Sequence, residues 1–461
     1  MKKLRIMKKI LFSLLLAMPY VVSAQFQWQA LPNSPQMSNV AYAYENHDDI
    51  KFCDNQTGWI CNIGGEIHKT SDGGDSWTEQ VNQSSTGAYS SYRCLAFINC
   101  DTGYVGNLGP GDWVNKTSDP VLMYKTYDGG ATWSEVTTIP NTHNPKGICG
   151  MQALDDGKTI VAVGRYDDPA IFFKSTDKGL TWTTKDIGAS EGAEGLVDIH
   201  FFNPDTGLIC GKRNGKSRIW YTTDGGNSFT QVETGNNDHT WKMYFVDRMN
   251  GYAMVSDYGG GPRLYHVTTD GGVTWAVKEF LNNAGDGQFG IYEGLGIGFF
   301  DTNIGWCAGS WTTYETTNGG ASFKQINIDP TYDDNINRFI RVGPNVYAVG
   351  FRVYKYTDIT VGEAKIPEVD NSLVKISCNP NPITGVAEIT YTTPIDGHVR
   401  IGITGIGGRV RELLINKEQK AGTYTVIYNP TYNVKFVACT IEVGRYAKSV
   451  NIIRSDRSEG L

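Results

Sequence analysis

The chain has 461 residues, a formal net charge of −7, and 40% hydrophobic and 12% aromatic residues. It is too long for one ordinary domain, and its apolar content is sufficient for two folded units. No Lys/Arg run occurs beyond the N-terminal segment. Because the chain is acidic and its sequence has no basic patch, we do not expect it to bind nucleic acid. The 54 glycines and the scarcity of helical periodicity favour short strands and tight turns, and therefore an all-β protein.

The N-terminal segment has the pattern of a secretion signal. Five basic residues within positions 2–9 precede an apolar stretch, residues 10–22, and the small-residue sequence VSA follows at 22–24. The stretch is shorter than the ~18 residues that a membrane span needs. We expect residues 1–24 to be a signal peptide cleaved after Ala24. The mature chain would then have no transmembrane segment and would be secreted or attached to the outer surface after export through the periplasm.

One octapeptide pattern occurs six times in the chain. The copies are TSDGGDSW (70–77), TYDGGATW (126–133), STDKGLTW (175–182), TTDGGNSF (222–229), TTDGGVTW (268–275) and TTNGGASF (316–323). A degenerate seventh copy, YTDIT (356–360), keeps the front half. Successive copies lie 40 to 56 residues apart, which is the length of a four-stranded propeller blade. The repeats therefore predict a seven-bladed β-propeller over residues 25–360.

The third position of the octapeptide has a structural role in this interpretation. Its carboxylate can accept hydrogen bonds from backbone N–H groups of its own turn, while Gly at the fifth position supplies a positive φ. The aromatic residue at the eighth position returns into the blade and is buried. We therefore assign a structural role, and no catalytic one, to the residues at the third position: Asp72, Asp128, Asp177, Asp224, Asp270 and Asn318.

The ring of blades needs a closing strand. An apolar strand, a polar turn ending in Gly and a second apolar strand precede the octapeptides, as in FCDNQTGWICN at 52–62. An outer strand follows each intact octapeptide, but none follows the degenerate seventh copy. Residues 26–32, FQWQALP, have the pattern of the missing strand. Because an open sheet edge leaves backbone groups unpaired, we expect this segment to pair with the last blade.

The repeats end before a second unit. Residues 361–370 have the composition of a linker, and residues 371–461 alternate as in the strands of a small, immunoglobulin-like β-sandwich. Of the nine cysteines, Cys53 and Cys61 flank a predicted hairpin turn and could face each other across it, and most of the others are expected to be buried. No Cys or His cluster has zinc spacing, so we expect neither a metal nor a cofactor.

Two resemblances emerge from these motifs. The octapeptides resemble the Asp-box (bacterial neuraminidase repeat) of β-propellers, and unit by unit residues 25–360 are similar to the photosystem II stability and assembly factor family, which implies the fold. The order PNP (380–382), GGRV (407–410), AGTY (421–424) and KSVNII (448–453) resembles the type A sorting domain of type IX secretion. This second resemblance implies that residues 371–461 interact with the type IX secretion machinery.

Propellers bind ligands where loops enter the innermost strands around the channel. The residues that we expect to bind a ligand there are Arg93, Lys146, Trp241, Lys242 and Arg338. An aromatic ring can stack on a sugar, and the cations can pair with carboxylate or sulfate groups. A solvated rim of charged loops is an equally good interpretation of these residues.

Three functional classes remain open from the sequence. We favour a non-enzymatic binding or assembly module for an extracellular glycan or surface protein. The alternative is a polysaccharide-active enzyme: a glycoside hydrolase with two carboxylates among Glu194, Glu293 and Asp333, or a lyase with His239 or Tyr292 as base. A purely structural envelope or adhesin component is the third class. A sialidase is disfavoured because the sequence lacks that family's Pro-containing Arg stretch.

Overall fold

The computed structural model describes residues 26–35, 47–82, 89–111, 117–167, 169–232, 234, 239–256, 264–280, 294–309, 312–329, 335–358, 373–394, 397–404, 410–430, 436–443 and 446–453. The predicted signal peptide and the predicted linker lie outside these residues. Within the described part of the chain, no helix combines the length and the apolar character that crossing a membrane requires.

Residues 26–358 form seven antiparallel sheets of four strands each, which we call blades 1 to 7. The first strand of the chain, β1 (Phe26–Ala30), belongs to the last blade. The strands of each blade are given from the innermost to the outermost. Blade 1 contains β2 (His47–Phe52), β3 (Gly58–Asn62), β4 (Ile67–Thr70) and β5 (Thr78–Val81). Blade 2 contains β6 (Tyr92–Phe97), β7 (Gly103–Asn107), β8 (Met123–Thr126) and β9 (Ser134–Glu135). Blade 3 contains β10 (Gly150–Ala153), β11 (Ile160–Gly164), β12 (Ile171–Ser175) and β13 (Thr183–Asp186). Blade 4 contains β14 (Gly195–Phe201), β15 (Gly207–Arg213), β16 (Lys216–Thr222) and β17 (Thr230–Val232). Blade 5 contains β18 (His239–Phe245), β19 (Gly251–Ser256), β20 (Leu264–Thr268) and β21 (Ala276–Glu279). Blade 6 contains β22 (Gly294–Phe299), β23 (Gly305–Gly309), β24 (Thr312–Thr316) and β25 (Lys324–Ile326). Blade 7 contains β26 (Arg338–Val342), β27 (Asn345–Val349), β28 (Val353–Asp358) and β1. One short helix, α1 (Ile187–Glu191), follows β13.

The blades form a closed ring. Each inner strand packs against the inner strand of the next blade, and β26 packs against β2. The strand β1 pairs antiparallel with β28, with Phe26 opposite Asp358 and Ala30 opposite Tyr354. Beyond the strand, the Leu31 N–H donates to the Val353 carbonyl at 2.9 Å. The predicted closure by residues 26–32 is confirmed, so the ring is completed by the segment that follows the predicted signal peptide.

The octapeptide turns have the predicted hydrogen bonds. In the first copy, the Thr70 hydroxyl donates to Asp72 Oδ1 at 2.8 Å and accepts the Gly74 N–H at 2.9 Å. Asp72 Oδ1 also accepts the Ser76 N–H at 2.9 Å, and Gly74 has a φ of +97°. In the sixth copy the amide of Asn318 takes the place of the carboxylate, and its Nδ2 donates to Ser322 Oγ at 2.7 Å. The residues of the third position therefore hold the turns together.

Side chains of the second strand join neighbouring blades. Their donors reach backbone carbonyls in the octapeptide turn of the next blade: Trp59 Nε1 to Gly129 at 3.1 Å, Tyr104 Oη to Lys178 at 2.5 Å, Tyr252 Oη to Gly319 at 3.3 Å, and Tyr347 Oη to Gly73 at 2.7 Å. The last of these bonds joins blade 7 to blade 1. The same contact thus recurs around the ring, including across its closure.

Residues 373–453 form two further sheets. One contains β29 (Lys375–Asn379), β30 (Ala387–Thr393) and β33 (Gly422–Tyr428), and the other contains β32 (Val410–Gln419), β31 (Gly397–Thr404), β34 (Phe436–Val443) and β35 (Tyr446–Ile453). Buried residues of both sheets belong to one hydrophobic core, among them Ile389, Tyr391, Val399, Ile401, Cys439 and Ile441. Two antiparallel sheets around a shared core are the general arrangement of a sandwich.

The disulfide differs from the sequence expectation. Cys53 is bonded to Cys100 of the neighbouring blade, with Cα atoms 5.2 Å apart, and Cys61 is a buried free thiol. The predicted contact between Cys53 and Cys61 is wrong because Cys61 lies within strand β3 opposite Asp49. Cys53 and Cys100 instead lie in equivalent turns, each between the first two strands of its blade, and the disulfide joins these two turns. Of the seven free cysteines only Cys378 is partly exposed, as expected for small apolar side chains in strands.

Candidate functional site

Irregular strand pairing shapes the channel end of the inner strands. Five inner strands have a register shift near their first residues, which leaves one extra residue in each of them: Asp48, Arg93, Val197, Trp241 and Leu295. A β-bulge of this kind re-aims side chains and is frequent beside binding sites. Two of the extra residues, Asp48 and Arg93, are charged, and three further charged residues directly follow an extra residue: Asp49, Asp198 and Lys242.

Three carboxylates and two arginines form buried ion pairs there. Arg93 of blade 2 pairs with Asp48 of blade 1. Arg338 of blade 7 donates from its two terminal nitrogens to Asp198 of blade 4 at 3.1 and 3.2 Å. Its Nε lies 3.1 Å from Asp49 Oδ1, close enough for an ion pair although the N–H is not directed at the oxygen. Arg338 therefore links blades 1, 4 and 7 across the ring.

Two of these carboxylates also hold neighbouring strands in place. Asp49 Oδ2 accepts the Leu95 N–H of blade 2, and Asp198 Oδ2 accepts the Met243 N–H of blade 5, both at 2.9 Å. Burial raises the pKa of Asp198, but Arg338 and Lys242 outweigh it and lower that pKa to about 2. Asp198 is therefore ionised at neutral pH and has both a structural and an electrostatic role.

Lys242 is the third cation of the cluster and differs from the two arginines. Its side chain is buried, with 1% of the residue exposed, and among the described residues its Nζ has no hydrogen-bond partner. Burial, together with the nearby Arg338, lowers its pKa to about 7, although Asp198 acts in the opposite direction. The amine therefore loses its proton much more readily than an exposed lysine does, so its charge responds to any anion that approaches.

Trp241 lies beside this cluster and is half-buried. The guanidinium carbon of Arg93 lies 5.5 Å from the centroid of its ring, a distance at which cation–π attraction is effective. The ring of His239 lies 6.2 Å away in an edge-on arrangement. The structure thus brings four predicted binding residues together, namely Arg93, Trp241, Lys242 and Arg338.

The other predicted residues are located elsewhere. Lys146 is exposed on the segment before β10. Glu194 is also exposed, and its Oε2 accepts the Gly215 N–H at 2.9 Å. Tyr292, Glu293 and Asp333 lie outside the described residues. Among the described residues, the structure therefore does not bring a second predicted acid to Glu194.

Asp198 was not singled out from the sequence. The signal that could have identified it is a carboxylate in the strand sequence GLVDIHF, where its neighbours are apolar and the strand is otherwise buried. A charge at such a position needs a partner, but the partner, Arg338, lies 140 residues away. Sequence spacing could not therefore pair these two residues.

A metal site is not evident in the described part of the chain. Its one close group of three potential ligands consists of Cys53, Asp54 and Cys100. Both sulfur atoms are in the disulfide, and metal binding requires thiolates. The channel cluster, which consists of Asp48, Asp49, Arg93, Asp198, Lys242 and Arg338, combines buried charges of both signs and can orient a charged group.

The comparisons with known proteins agree with this architecture. No family model and no curated protein matches the sequence. Solved structures that resemble the chain include YCF48 bound to a D1 peptide, at 16% identity over 72% of this chain and 96% of that one with a TM-score of 0.52. YCF48 from Cyanidioschyzon merolae matches at 17% over 73% and 100%, with a TM-score of 0.52. The GH74 xyloglucanase from Xanthomonas campestris matches at 10% over 95% and 76%, with a TM-score of 0.54.

At these identities the likeness shows the fold alone, and the chain is a β-propeller protein. One of the similar structures holds a peptide and another is a glycoside hydrolase. The fold is thus compatible with binding and with catalysis, so function has to be argued from the site.

Proposed function

We propose that this protein is an exported β-propeller that binds an acidic extracellular glycan at the channel end near Trp241, without cleaving it. The observation that carries the proposal is the pairing of charges in the channel cluster. Asp48, Asp49 and Asp198 are engaged by two arginines, whereas Lys242 has no acidic partner within ion-pair distance among the described residues. Three carboxylates exceed two arginines by one negative charge, which protonated Lys242 balances. Because a buried charge is weakly screened, an anion bound nearby favours the protonated form of Lys242.

Trp241 supplies the complementary apolar contact. Its partly exposed side chain gives a sugar an aromatic ring to stack on, and the Arg93 guanidinium lies over the same ring. Uronate or sulfate groups then interact with the Arg93 guanidinium and the protonated Lys242 amine. Aromatic stacking combined with a few well-placed polar groups is typical of small-ligand sites.

The same pairing argues against a glycoside hydrolase. A retaining or inverting hydrolase needs two carboxyl groups about 5 to 9.5 Å apart that are free to act as acid and as base or nucleophile. In the channel cluster the carboxylates are instead held by arginines, and two of them bind backbone N–H groups. The resemblance of the octapeptides to Asp-boxes is likewise a matter of fold and supplies no catalytic residue.

Export belongs to the same proposal. The predicted signal peptide and the resemblance of residues 371–461 to a type IX sorting domain support passage through the periplasm to the cell surface. Intact-mass analysis of protein from the native host is expected to give a chain that begins at Gln25 and has lost the C-terminal region from about residue 371. Full-length protein retained in the cytoplasm would contradict this route.

Glycan-array binding followed by product analysis tests the proposal. We expect the full chain to bind acidic glycans, and chromatography of a bound oligosaccharide after incubation to recover it uncut. Binding with the release of shorter products would instead support the polysaccharide-active enzyme. An array without signal would favour a structural envelope component.

A further inference from the structure

The junction between blades 6 and 7 differs from the other junctions of the ring. The strand β28 ends in the degenerate octapeptide copy, and β1 supplies the outer strand. Trp306 occupies the position at which Trp59, Tyr104 and Tyr347 donate to a neighbouring turn, but its Nε1 donates instead to Glu315 Oε1 of its own blade at 3.0 Å. A side-chain carboxylate thus takes the place of the turn carbonyl.

The residue opposite Trp306 in the sheet also has the reverse hydrogen-bonding character, because it is an acceptor and not a donor. Glu315 lies opposite Trp306 in strand register, and the equivalent residue in four other blades is a lysine: Lys69, Lys125, Lys174 and Lys355. The Lys174 ammonium donates to two carbonyls of the next blade, Pro204 at 2.7 Å and Gly225 at 2.9 Å. At the blade 6 junction an acceptor therefore stands where four other blades have a lysine donor.

A pocket of about 380 Å³ lies at this junction. Strand β1 contributes Phe26, Gln27 and Trp28, and blade 6 contributes Glu315, Thr317 and Asn327. Among the described residues, the Glu315 carboxylate has no hydrogen-bond partner other than Trp306. Lys324 lies opposite Glu315 on the neighbouring strand, but no Lys or Arg lines the pocket. The lining offers amides, a hydroxyl and a carboxylate next to aromatic side chains.

We infer that this pocket, which we call the blade 6–7 groove, is a binding site for a neutral sugar. Hydroxyl groups of a sugar can donate to the free oxygen of Glu315 and bond with the amides of Gln27 and Asn327, while the apolar face of the ring packs on the aromatic side chains. Pockets of 300–1,000 Å³ are typical of small-molecule sites. A uronate or sulfate would face the Glu315 carboxylate, and none of the lining residues is a cation, so the groove favours a neutral ligand over the ligand class proposed for the channel.

Isothermal titration with the full chain tests this inference. The probes are cellohexaose, mannohexaose and xylohexaose, with hexagalacturonate as the anionic comparison. The peptide TTDGGVTW serves as a mimic of an intact octapeptide, which the sequence of the seventh copy lacks. We expect at least one neutral hexasaccharide to bind. Glu315→Gln should weaken that binding at least tenfold because an amide replaces a charged acceptor, while its oxygen can still accept from Trp306.

Glu315→Lys, which restores the residue of the other blades, should abolish binding of the neutral probe. The matched control is Glu279→Gln, an exposed glutamate of blade 5, which should retain wild-type affinity. Lys242→Met should also retain it, which separates this site from the channel. Binding of no neutral hexasaccharide, unchanged affinity in Glu315→Lys, or binding of the peptide or hexagalacturonate alone would overturn the inference.

Discussion

Lys242 combines near-complete burial with a pKa of about 7, and the main cause of the shift is its removal from water. In the unfolded chain the amine is protonated throughout the physiological range. In the folded protein it gains a proton as the pH falls through about 7. Because an anion favours the protonated form, the charge at the channel is coupled to ligand binding.

Binding of an acidic glycan should therefore depend on pH. We expect affinity to increase between pH 8 and pH 6, with proton uptake on binding, and we expect Lys242→Met to remove most of this dependence. Titrations in two buffers of different ionisation enthalpy measure the uptake directly. Equal affinities at pH 6 and pH 8 in the wild-type protein would contradict this role for Lys242.

The octapeptide threonine should matter more for stability than the aspartate beside it. Thr222 is buried and its hydroxyl accepts the buried Gly226 N–H at 3.0 Å, whereas Asp224 is exposed. Thr222→Val leaves that N–H unpaired and should cost about 1–3 kcal/mol. Asp224→Ala leaves the N–H and hydroxyl of the exposed Ser228 to bond with water and should cost no more than about 1 kcal/mol. Urea unfolding of both variants measures the loss in the free energy of unfolding. A larger loss for Asp224→Ala than for Thr222→Val would contradict this prediction.

At the scale of elements, β1 connects the two ends of the propeller sequence. It buries Trp28 against Trp306 of blade 6, with ring centroids 4.9 Å apart, and its backbone pairs with β28 over five residues. The Ser34 hydroxyl further accepts the Val353 N–H at 3.1 Å. These contacts hold the first and last parts of the ring together without a covalent link.

Deleting residues 26–32 should open the ring. The expected result is aggregation or a much lower midpoint of thermal unfolding, because β28 then presents an unpaired edge and the blade 6–7 core loses Trp28. Gln27→Ala, at an exposed position of the same strand, is the control and should unfold as the wild-type protein does. A monomeric deletion variant with an unchanged midpoint would contradict closure by β1.

The sequence predicted most of the elements and less of the site. Octapeptide spacing located the blades, and the lack of an outer strand after residue 358 pointed to residues 26–32, because each inference used local patterns. The disulfide and the pairing of Arg338 with Asp49 and Asp198 join residues of different blades. They depend on how blades are arranged in space, which the period of the repeat does not encode.

At the scale of the whole molecule, buried histidines couple stability to pH. Burial lowers the pKa values of His47 and His266 to about 4, with His68 contributing for His47. The Nδ1 atom of each has no hydrogen-bond partner among the described residues. In the unfolded chain the pKa is about 6.5, so the unfolded state takes up protons first as the pH falls.

The stabilisation from the neutral histidines is complete above pH 6.5 and should be lost progressively towards pH 4, by on the order of 3 kcal/mol for each residue. Urea unfolding between pH 8 and pH 4 measures this loss. His266→Leu should flatten the profile below pH 6.5 relative to the wild-type protein. If the stability of His266→Leu fell as steeply between pH 6.5 and pH 4 as that of the wild-type protein, groups other than His266 would cause the acid sensitivity.

In the proposed function, Trp241 provides the stacking contact for an acidic glycan at the channel end. Isothermal titration of folded Trp241→Ala with the acidic oligosaccharide that binds the wild-type protein best on the array tests it most directly. Loss of the stacked ring should abolish binding or weaken it at least tenfold, while the thermal unfolding midpoint stays within a few degrees of the wild-type value. Undiminished affinity in the folded variant would contradict the claim and would locate the binding site elsewhere on the propeller.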